Sequence, residues 1–291
     1  LYAVQKKAVQ LTFHRCDGST WQKTTLAKGS SYSLPGVRDA EGYTFMGWST
    51  KPMQSVSPQY EAEEKITVNG NVDLYAVVFN RTTETDLTED QLPQVDIYKY
   101  KQVIFVGDSR TEFMENVLTG MGESATKNVK FVCSAGKGLD WFTTTGWAQL
   151  YSIVQHDSNS ILSKKTAVIF NFGVNDLSKS ADYAEYYNWI APQLKSKGCE
   201  LYFMSVNPVN RLMLPNAGRA DRSEAAVRSF NQYMKANLSS AYTYIDMYSY
   251  LKSTGYSFAS DHYGTGTVDD GLHYTTRTYK RIFAKCMDSL R

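Results

Sequence analysis

The sequence predicts an α/β protein: a three-layer α/β/α sandwich on a parallel sheet of about five strands, preceded by a small β-rich domain. Three observations predict it. From about residue 98 onward, short apolar runs alternate with helix-period segments, and buried strands alternating with helices imply a parallel sheet covered on both faces. Before residue 80 the pattern is strand and turn, with Gly and Pro placed between short aromatic runs. Between the two, residues 81–97 are rich in Thr, Asp and Glu with one Pro, the composition of a linker.

The 291 residues suffice for about two domains, and with 42% hydrophobic residues there is material for a real core. Thirty-one basic residues oppose 29 acidic ones. That balance excludes nucleic acid or an anionic membrane as the main partner. No apolar run approaches the ~20 residues of a membrane span. The chain opens at Leu1 with no signal-like segment, so the expectation is that a targeting segment has been removed or that this is a fragment. Four cysteines (Cys16, Cys133, Cys199, Cys286) show neither CxxC spacing nor paired histidines, and no metal site is expected. Cys133 and Cys286 sit in apolar patterns and read as small core residues.

In the N-terminal part, Val9–Phe13 alternates apolar and polar residues, the period of a half-buried strand. The one candidate helix there is a short segment near Tyr60–Glu64. "ITVNGNVDLYAVVF" places an Asn-Gly turn between two β-prone segments. Leu1-Tyr-Ala-Val4 recurs as Leu74-Tyr-Ala-Val77, so residues 1–4 read as the tail of a preceding repeat. "GYTFMGWST", Tyr60 and "ITVNGNVDLYAVV" together resemble the Listeria–Bacteroides repeat, a β-grasp-like module of bacterial surface proteins, over residues 5–80. The match departs at Val78, where the family commonly has Trp. The resemblance implies an extracellular, secreted or cell-surface setting and a spacer or adhesive role, with a cell-surface or host glycan as the module's partner.

In the C-terminal part the predicted strands are 103–106, 129–132, 167–172, 201–206 and 242–245. The predicted helices are 109–121, 141–155, 181–197, 221–238 and 275–290. The expected architecture is the flavodoxin-like sandwich, whose ligands bind at the carboxyl ends of the strands. Four patterns fall at that edge: Gly107-Asp-Ser109, the glycines Gly136 and Gly138, Gly173-Val-Asn175-Asp176, and Asp270-Gly-Leu-His273. Each has a plain structural explanation. Ser109 with Glu112 fits a capping box, paired glycines turn a chain, and Asn-Asp or Asp-x-x-His bonds locally at a helix start.

Acyl-transfer chemistry accounts for all four together. A serine hydroxyl becomes nucleophilic when a histidine takes its proton, and a carboxylate holds that histidine. An Asn amide and backbone N–H groups supply the oxyanion donors. His262 is the one rival base. The ordered blocks resemble the SGNH (GDSL-type) hydrolases over residues 98–291, a family of esterases, lipases and carbohydrate deacetylases. The resemblance implies Ser109 as nucleophile, His273 as base and Asp270 as its partner. It also implies an oxyanion hole of Ser109, Asn175 and Gly138; counting from the strand end favours Gly138, while the "SAG" context allows Gly136. Arg110 stands where the family block has Leu.

Arg110, Trp141 and Tyr274 are the candidate substrate-binding residues, with Tyr263 also near the motif loops, and the segment Asn207–Arg222 is expected to wall the pocket. The expected function is an extracellular serine esterase that hydrolyses an O-acyl ester, O-acetyl first, on a carbohydrate, without metal or organic cofactor. The alternatives are an acyltransferase acting on cell-wall glycan and a surface adhesin carrying an inactive hydrolase fold.

Overall fold

The structure is a computed structural model, and it describes residues 7–157, 164–260 and 269–290. The repeat echo at Leu1–Val4, the rival base His262 and Tyr263 lie outside the described residues. The chain divides into two compact units. The first runs to Glu84 and also takes in Pro208–Ala225 and Ser249–Leu272; the second comprises Thr85–Asn207, Ala226–Tyr248 and His273–Arg291.

The first unit contains six N-terminal strands: β1 (Ala8–His14), β2 (Thr20–Ala27), β3 (Ser30–Ser33), β4 (Tyr43–Ser49), β5 (Lys65–Val68) and β6 (Val72–Asn80). They form a four-stranded sheet in the order β2-β1-β6-β4 and a β3-β5 ribbon. β1 runs parallel to β6, and the other pairs are antiparallel. Alternation on β1 sends Val9, Leu11 and Phe13 inward, where Phe13 meets Trp48 at 4.9 Å. The buried Trp48 indole N–H donates to the Pro35 carbonyl at 2.8 Å, which satisfies its one polar atom.

The Asn69-Gly70 turn joins two strands as expected, and they pair with other strands: β5 bonds β3, and β6 bonds β1 and β4. One expectation fails in this unit. Residues 60–64 form a turn with Glu63 at φ 61°, a left-handed conformation that no helix continues through.

The second unit carries a five-stranded parallel sheet, order β11-β10-β9-β7-β8. Its strands are β7 (Tyr100–Gly107), β8 (Val129–Cys133), β9 (Lys165–Asn171), β10 (Cys199–Met204) and β11 (Tyr242–Ile245). Val103–Val106 of β7, which lies between β9 and β8, are wholly buried, as a strand covered on both faces requires. The period of two separates the layers. Phe105 lies 5.8 Å from Phe283 of α7 (Thr276–Asp288), and Phe170 on β9 lies 4.7 Å from Tyr187 of α4 (Ser180–Ser196). Each helix buries one stripe: Tyr279, Ile282, Phe283 and Cys286 on α7; Tyr183, Tyr187, Ile190 and Leu194 on α4. Burying each such side chain contributes about 1.5–3 kcal/mol.

Residues 85–97 are packed in this unit rather than being a bare tether. Leu92 and Val95 are buried, and Lys280 donates to Asp86 and to the Leu87 carbonyl, both at 2.7 Å. Two isolated apolar residues suffice to anchor a stretch whose average composition reads as solvated. Three elements escape the sequence reading: α6 (Met247–Thr254) and the ribbon of β12 (Phe258–Ser260) with β13 (Asp269–Tyr274). They are too short to display a period, and Gly271 interrupts β13. Among the described residues no helix is long and apolar enough to cross a membrane.

Candidate active site

β7 ends at Gly107 and α1 (Ser109–Met121) begins two residues later. A Cβ at Gly107 would come within 2.0 Å of Thr111 Oγ1 and 2.9 Å of the Asn171 carbonyl, so only glycine permits this sharp strand-to-helix turn. The helix cap is Asp108, whose carboxylate accepts the Arg110 N–H at 3.0 Å. The capping box expected of Ser109 does not form. Ser109 is the first helical residue, and Glu112 reaches away to accept the Ala135 N–H at 2.6 Å. With Asp108 taking the orphan donor, the Ser109 hydroxyl is free for another partner. That partner is His273: its Nε2 lies 2.9 Å from Ser109 Oγ. Both residues are buried. Phe113, one turn after Ser109 and hence on the same helix face, lies 4.5 Å from the imidazole, centroid to centroid.

The loops after β8 and β9 are bound to each other. Asn175 Nδ2 donates to the Lys137 carbonyl at 2.8 Å, and Asp176 Oδ2 accepts the Leu139 N–H at 2.9 Å. Between these two bonds lies Gly138, where a Cβ would sit 2.3 Å from Asp176 Oδ2. The Tyr183 hydroxyl holds the other Asp176 oxygen at 2.7 Å, and burial first, then the neighbouring Tyr187 and Asp176, pushes that phenol well above its usual range. Asn175 is thus brought beside Gly138. Gly136, at φ 71° with open space around it, is exposed and turns the chain.

Asp270 lies three residues before His273 on β13; it belongs to the first unit and His273 to the second. The Asp270 carboxylate is buried, accepts the Leu272 N–H at 2.8 Å, and has Arg219 Nη2 at 3.5 Å.

The three substrate-binding candidates separate. Arg110 and Tyr274 are each 2% exposed. The Arg110 guanidinium stacks over the Tyr274 ring at 5.2 Å and donates to the Asn207 carbonyl at 2.9 Å. Both side chains are buried, and Arg110 is tied to the stretch that follows β10. Trp141 is half-buried, with its ring 6.1 Å from Phe172. The segment after Asn207 belongs to the first unit, where Asn210 donates to Asp39 and Arg211 pairs with Asp221. Sequence reasoning named Asp176 without a role and passed over Phe113 as a site residue. Phe113 was legible only as one more apolar residue on α1, although its i, i+4 relation to Ser109 was the available signal.

The arrangement is that of an acyl-transfer hydrolase: a serine at a strand-to-helix turn on the carboxyl edge of a parallel sheet, with a histidine on its hydroxyl. The chain belongs to the GDSL-like lipase/acylhydrolase family, which matches residues 103–286, and it is a hydrolase. Residues 10–77 match the Listeria-Bacteroides repeat domain. Among solved structures, a candidate acylhydrolase from Bacteroides fragilis is 16% identical, over 69% of this chain and 93% of its own, with a TM-score of 0.44. An acetyl xylan esterase is 11% identical over 65% of this chain and 100% of its own, with a TM-score of 0.42. The C-terminal catalytic domain of peptidoglycan O-acetyltransferase A from Streptococcus pneumoniae is 15% identical over 66% and 92%, with a TM-score of 0.39. No curated protein matches the sequence significantly.

Proposed function

We propose that this hydrolase is an extracellular serine esterase that removes an O-acyl group, acetyl in the first instance, from a carbohydrate. The observation that carries the proposal is the 2.9 Å contact between Ser109 Oγ and His273 Nε2 at the carboxyl edge of the sheet. The hydroxyl oxygen attacks the ester carbonyl carbon as its proton passes to Nε2. Negative charge develops on the carbonyl oxygen, facing the Asn175 amide and the Ser109 and Gly138 backbone N–H groups. Ser109 opens α1, so the partial positive charge of the helix N-terminus falls where that oxyanion forms. Collapse breaks the bond to the sugar oxygen, which leaves with the proton from the imidazolium. Water, deprotonated by His273, then attacks the acyl-serine and releases the carboxylic acid. Asp270 is the carboxylate assigned to orient the imidazole, and Trp141 is the residue assigned to meet the sugar. No step requires a metal or an organic cofactor.

The carbohydrate part of the reading is supported by a cleft on the β-rich module. It has a volume of about 190 Å³, and its walls include Trp21, Trp48, Tyr43, Arg15 and Arg38. The Trp21 and Trp48 rings stack at 5.8 Å, and Trp21 and Tyr43 are 40% and 41% exposed. Flat aromatic faces beside guanidinium groups suit the apolar face and polar rim of a sugar ring. Trp21→Ala is expected to weaken binding of acetylated glycan about tenfold or more by isothermal titration, with p-nitrophenyl acetate turnover unchanged. Equal glycan binding by the two proteins would withdraw the cleft from the reading.

The decisive measurement is turnover of p-nitrophenyl acetate by the wild type and Ser109→Ala. The variant is expected to stay folded and to lose about 10³-fold or more in kcat. Acetate released from acetylated glycan, with no acyl group moved onto an added glycan acceptor, identifies hydrolysis of carbohydrate esters. Turnover confined to long-chain lipid esters would refute the carbohydrate assignment, and acyl transfer to the acceptor would refute hydrolysis.

A further inference from the structure

The backbone on either side of Asp270 is fastened to the β-rich module, and both fastenings meet on one buried side chain. On the N-terminal side, Asp269 Oδ2 lies 2.6 Å from Arg81 Nη2, and that same nitrogen lies 2.7 Å from Asp39 Oδ2. Arg81 is itself aimed by its Nε, which donates to Thr44 Oγ1 at 2.9 Å. On the C-terminal side, the Gly271 carbonyl accepts the Asn210 N–H at 2.9 Å. Gly271 stands at φ 67°, and a Cβ there would lie 2.5 Å from the Asn210 carbonyl, so this close approach requires glycine. The Asn210 amide then donates to Asp39 Oδ1 at 2.8 Å and to the Val37 carbonyl at 3.1 Å. The loop therefore closes: Asp269 to Arg81, Arg81 to Asp39, Asp39 to Asn210, Asn210 to Gly271, with Asp270 between its two ends. All of these residues lie in the first compact unit.

A clamp of this kind is a poor way to gain stability. The Asp39 side chain has no solvent exposure, and a buried ion pair generally gives no more stability than apolar packing of the same volume. What such a network supplies is one geometry rather than several, because each hydrogen bond fixes an orientation.

We propose that Arg81, Asp39 and Asn210 are positioning residues that hold the backbone on both sides of Asp270, and with it the carboxylate to which the esterase reading assigns the proton-transfer role. The proposal rests on the serine-esterase reading above, in which Asp270 orients His273. Small displacements at such a group matter: a misplacement of about 1 Å can cost about a hundredfold in rate.

The test compares the full wild-type chain with Arg81→Ala, Arg81→Lys and Asp39→Asn, using Ser109→Ala as the reference for a lost nucleophile. Each is assayed on p-nitrophenyl acetate from about pH 5 to 9, with Tm measured alongside. Arg81→Ala is expected to lose about tenfold to a hundredfold in kcat with KM nearly unchanged. Its acid limb should move to lower pH, because an imidazole that loses its carboxylate binds a proton less tightly. Arg81→Lys, which keeps the charge and one donor, should recover part of the rate. A purely structural clamp would change Tm and leave the acid limb where it is. Folded Arg81→Ala with wild-type kcat and an unmoved acid limb overturns the proposal. Should that variant not fold, Asp39→Asn decides, being nearly isosteric: reduced kcat supports the clamp and unchanged kcat overturns it. An inert Ser109→Ala beside a wild-type-like Arg81→Ala removes the clamp alone. Ser109→Ala with full activity removes the serine mechanism and the clamp together.

Discussion

At the scale of single residues, the central arrangement is a division of labour between neighbours. Asp108 accepts the helix N-terminal N–H, and Ser109, relieved of that duty, meets His273. A serine in this position could serve either purpose, and the acid one residue earlier settles which. Asp39 shows the opposite situation, a carboxylate kept where it is uncomfortable. Burial pushes it up to about 6, against the pull of Arg81, the Phe45 N–H and Asn210. Its folded value lies above the unfolded value of 3.8, so the native state binds more protons between the two, and stability falls as pH rises through that window. The ionised, buried form should cost about 3 kcal/mol at pH 7 relative to an unperturbed carboxylate. The wild type is therefore expected to lose unfolding free energy relative to Asp39→Asn between about pH 4 and pH 7, whatever constant offset the lost Arg81 pair adds to the variant. Urea unfolding of both proteins at the two pH values checks this, and a difference that does not change with pH would contradict it.

At the scale of elements, the strands deliver chemistry because of how they end. β7, β8 and β9 run parallel, so Gly107, the Gly138 loop and the Gly173–Asp176 loop all emerge on one edge. Bonds between the last two loops then fix their spacing: Asn175 to Lys137, and Asp176 to Leu139. Gly138→Ala inserts a Cβ 2.3 Å from Asp176 Oδ2 and must push those loops apart. The expected result is a fall in kcat of about tenfold to a hundredfold on p-nitrophenyl acetate, with Tm changed by only a few degrees. A variant with wild-type kcat would show that this loop supplies no oxyanion donor.

At the scale of the molecule, the compact units do not follow the order of the sequence. Segments 208–225 and 249–272, which lie within the family match, pack in the first unit with the β-rich module. Buried Lys252 donates to the Met46 carbonyl at 2.8 Å and pairs with Glu61 and Glu224 at 2.9 and 3.1 Å. Phe79 packs so closely on Gly255 that no side chain fits there, and Ser257 bonds Glu84. Deleting residues 7–80 would remove the Lys252 partners on the module, the ring over Gly255 and the Asp39 end of the clamp. Stripping one partner from a single buried ion pair costs about 3–5 kcal/mol, a large part of any domain's stability. A chain beginning at residue 81 is expected to be insoluble or to lack near-ultraviolet circular dichroism. A soluble, active fragment would show that the module is dispensable.

Periodicity alone determined the alternation of strands and helices beyond residue 98, because a buried parallel strand and a one-sided helix each impose a pattern that local sequence must carry. The same reading placed Ser109 and Asn175 just beyond strands of that sheet, since strand ends follow from strand order, whereas His273 lies on β13 outside the sheet and meets Ser109 through tertiary structure. Tertiary structure decided the rest. That Asp108 and not Ser109 caps α1, that Arg110 and Tyr274 bury each other, and that Asn175 lies beside Gly138 are contacts between segments far apart in the chain or between equally plausible local partners. The clamp around Asp270 is the extreme case. Asp39 and Asn210 carry no motif, and their meaning arises from a hydrogen bond that spans 171 residues. Side-chain periodicity encodes which face is buried, but which buried polar groups find one another is settled only when the chain has folded.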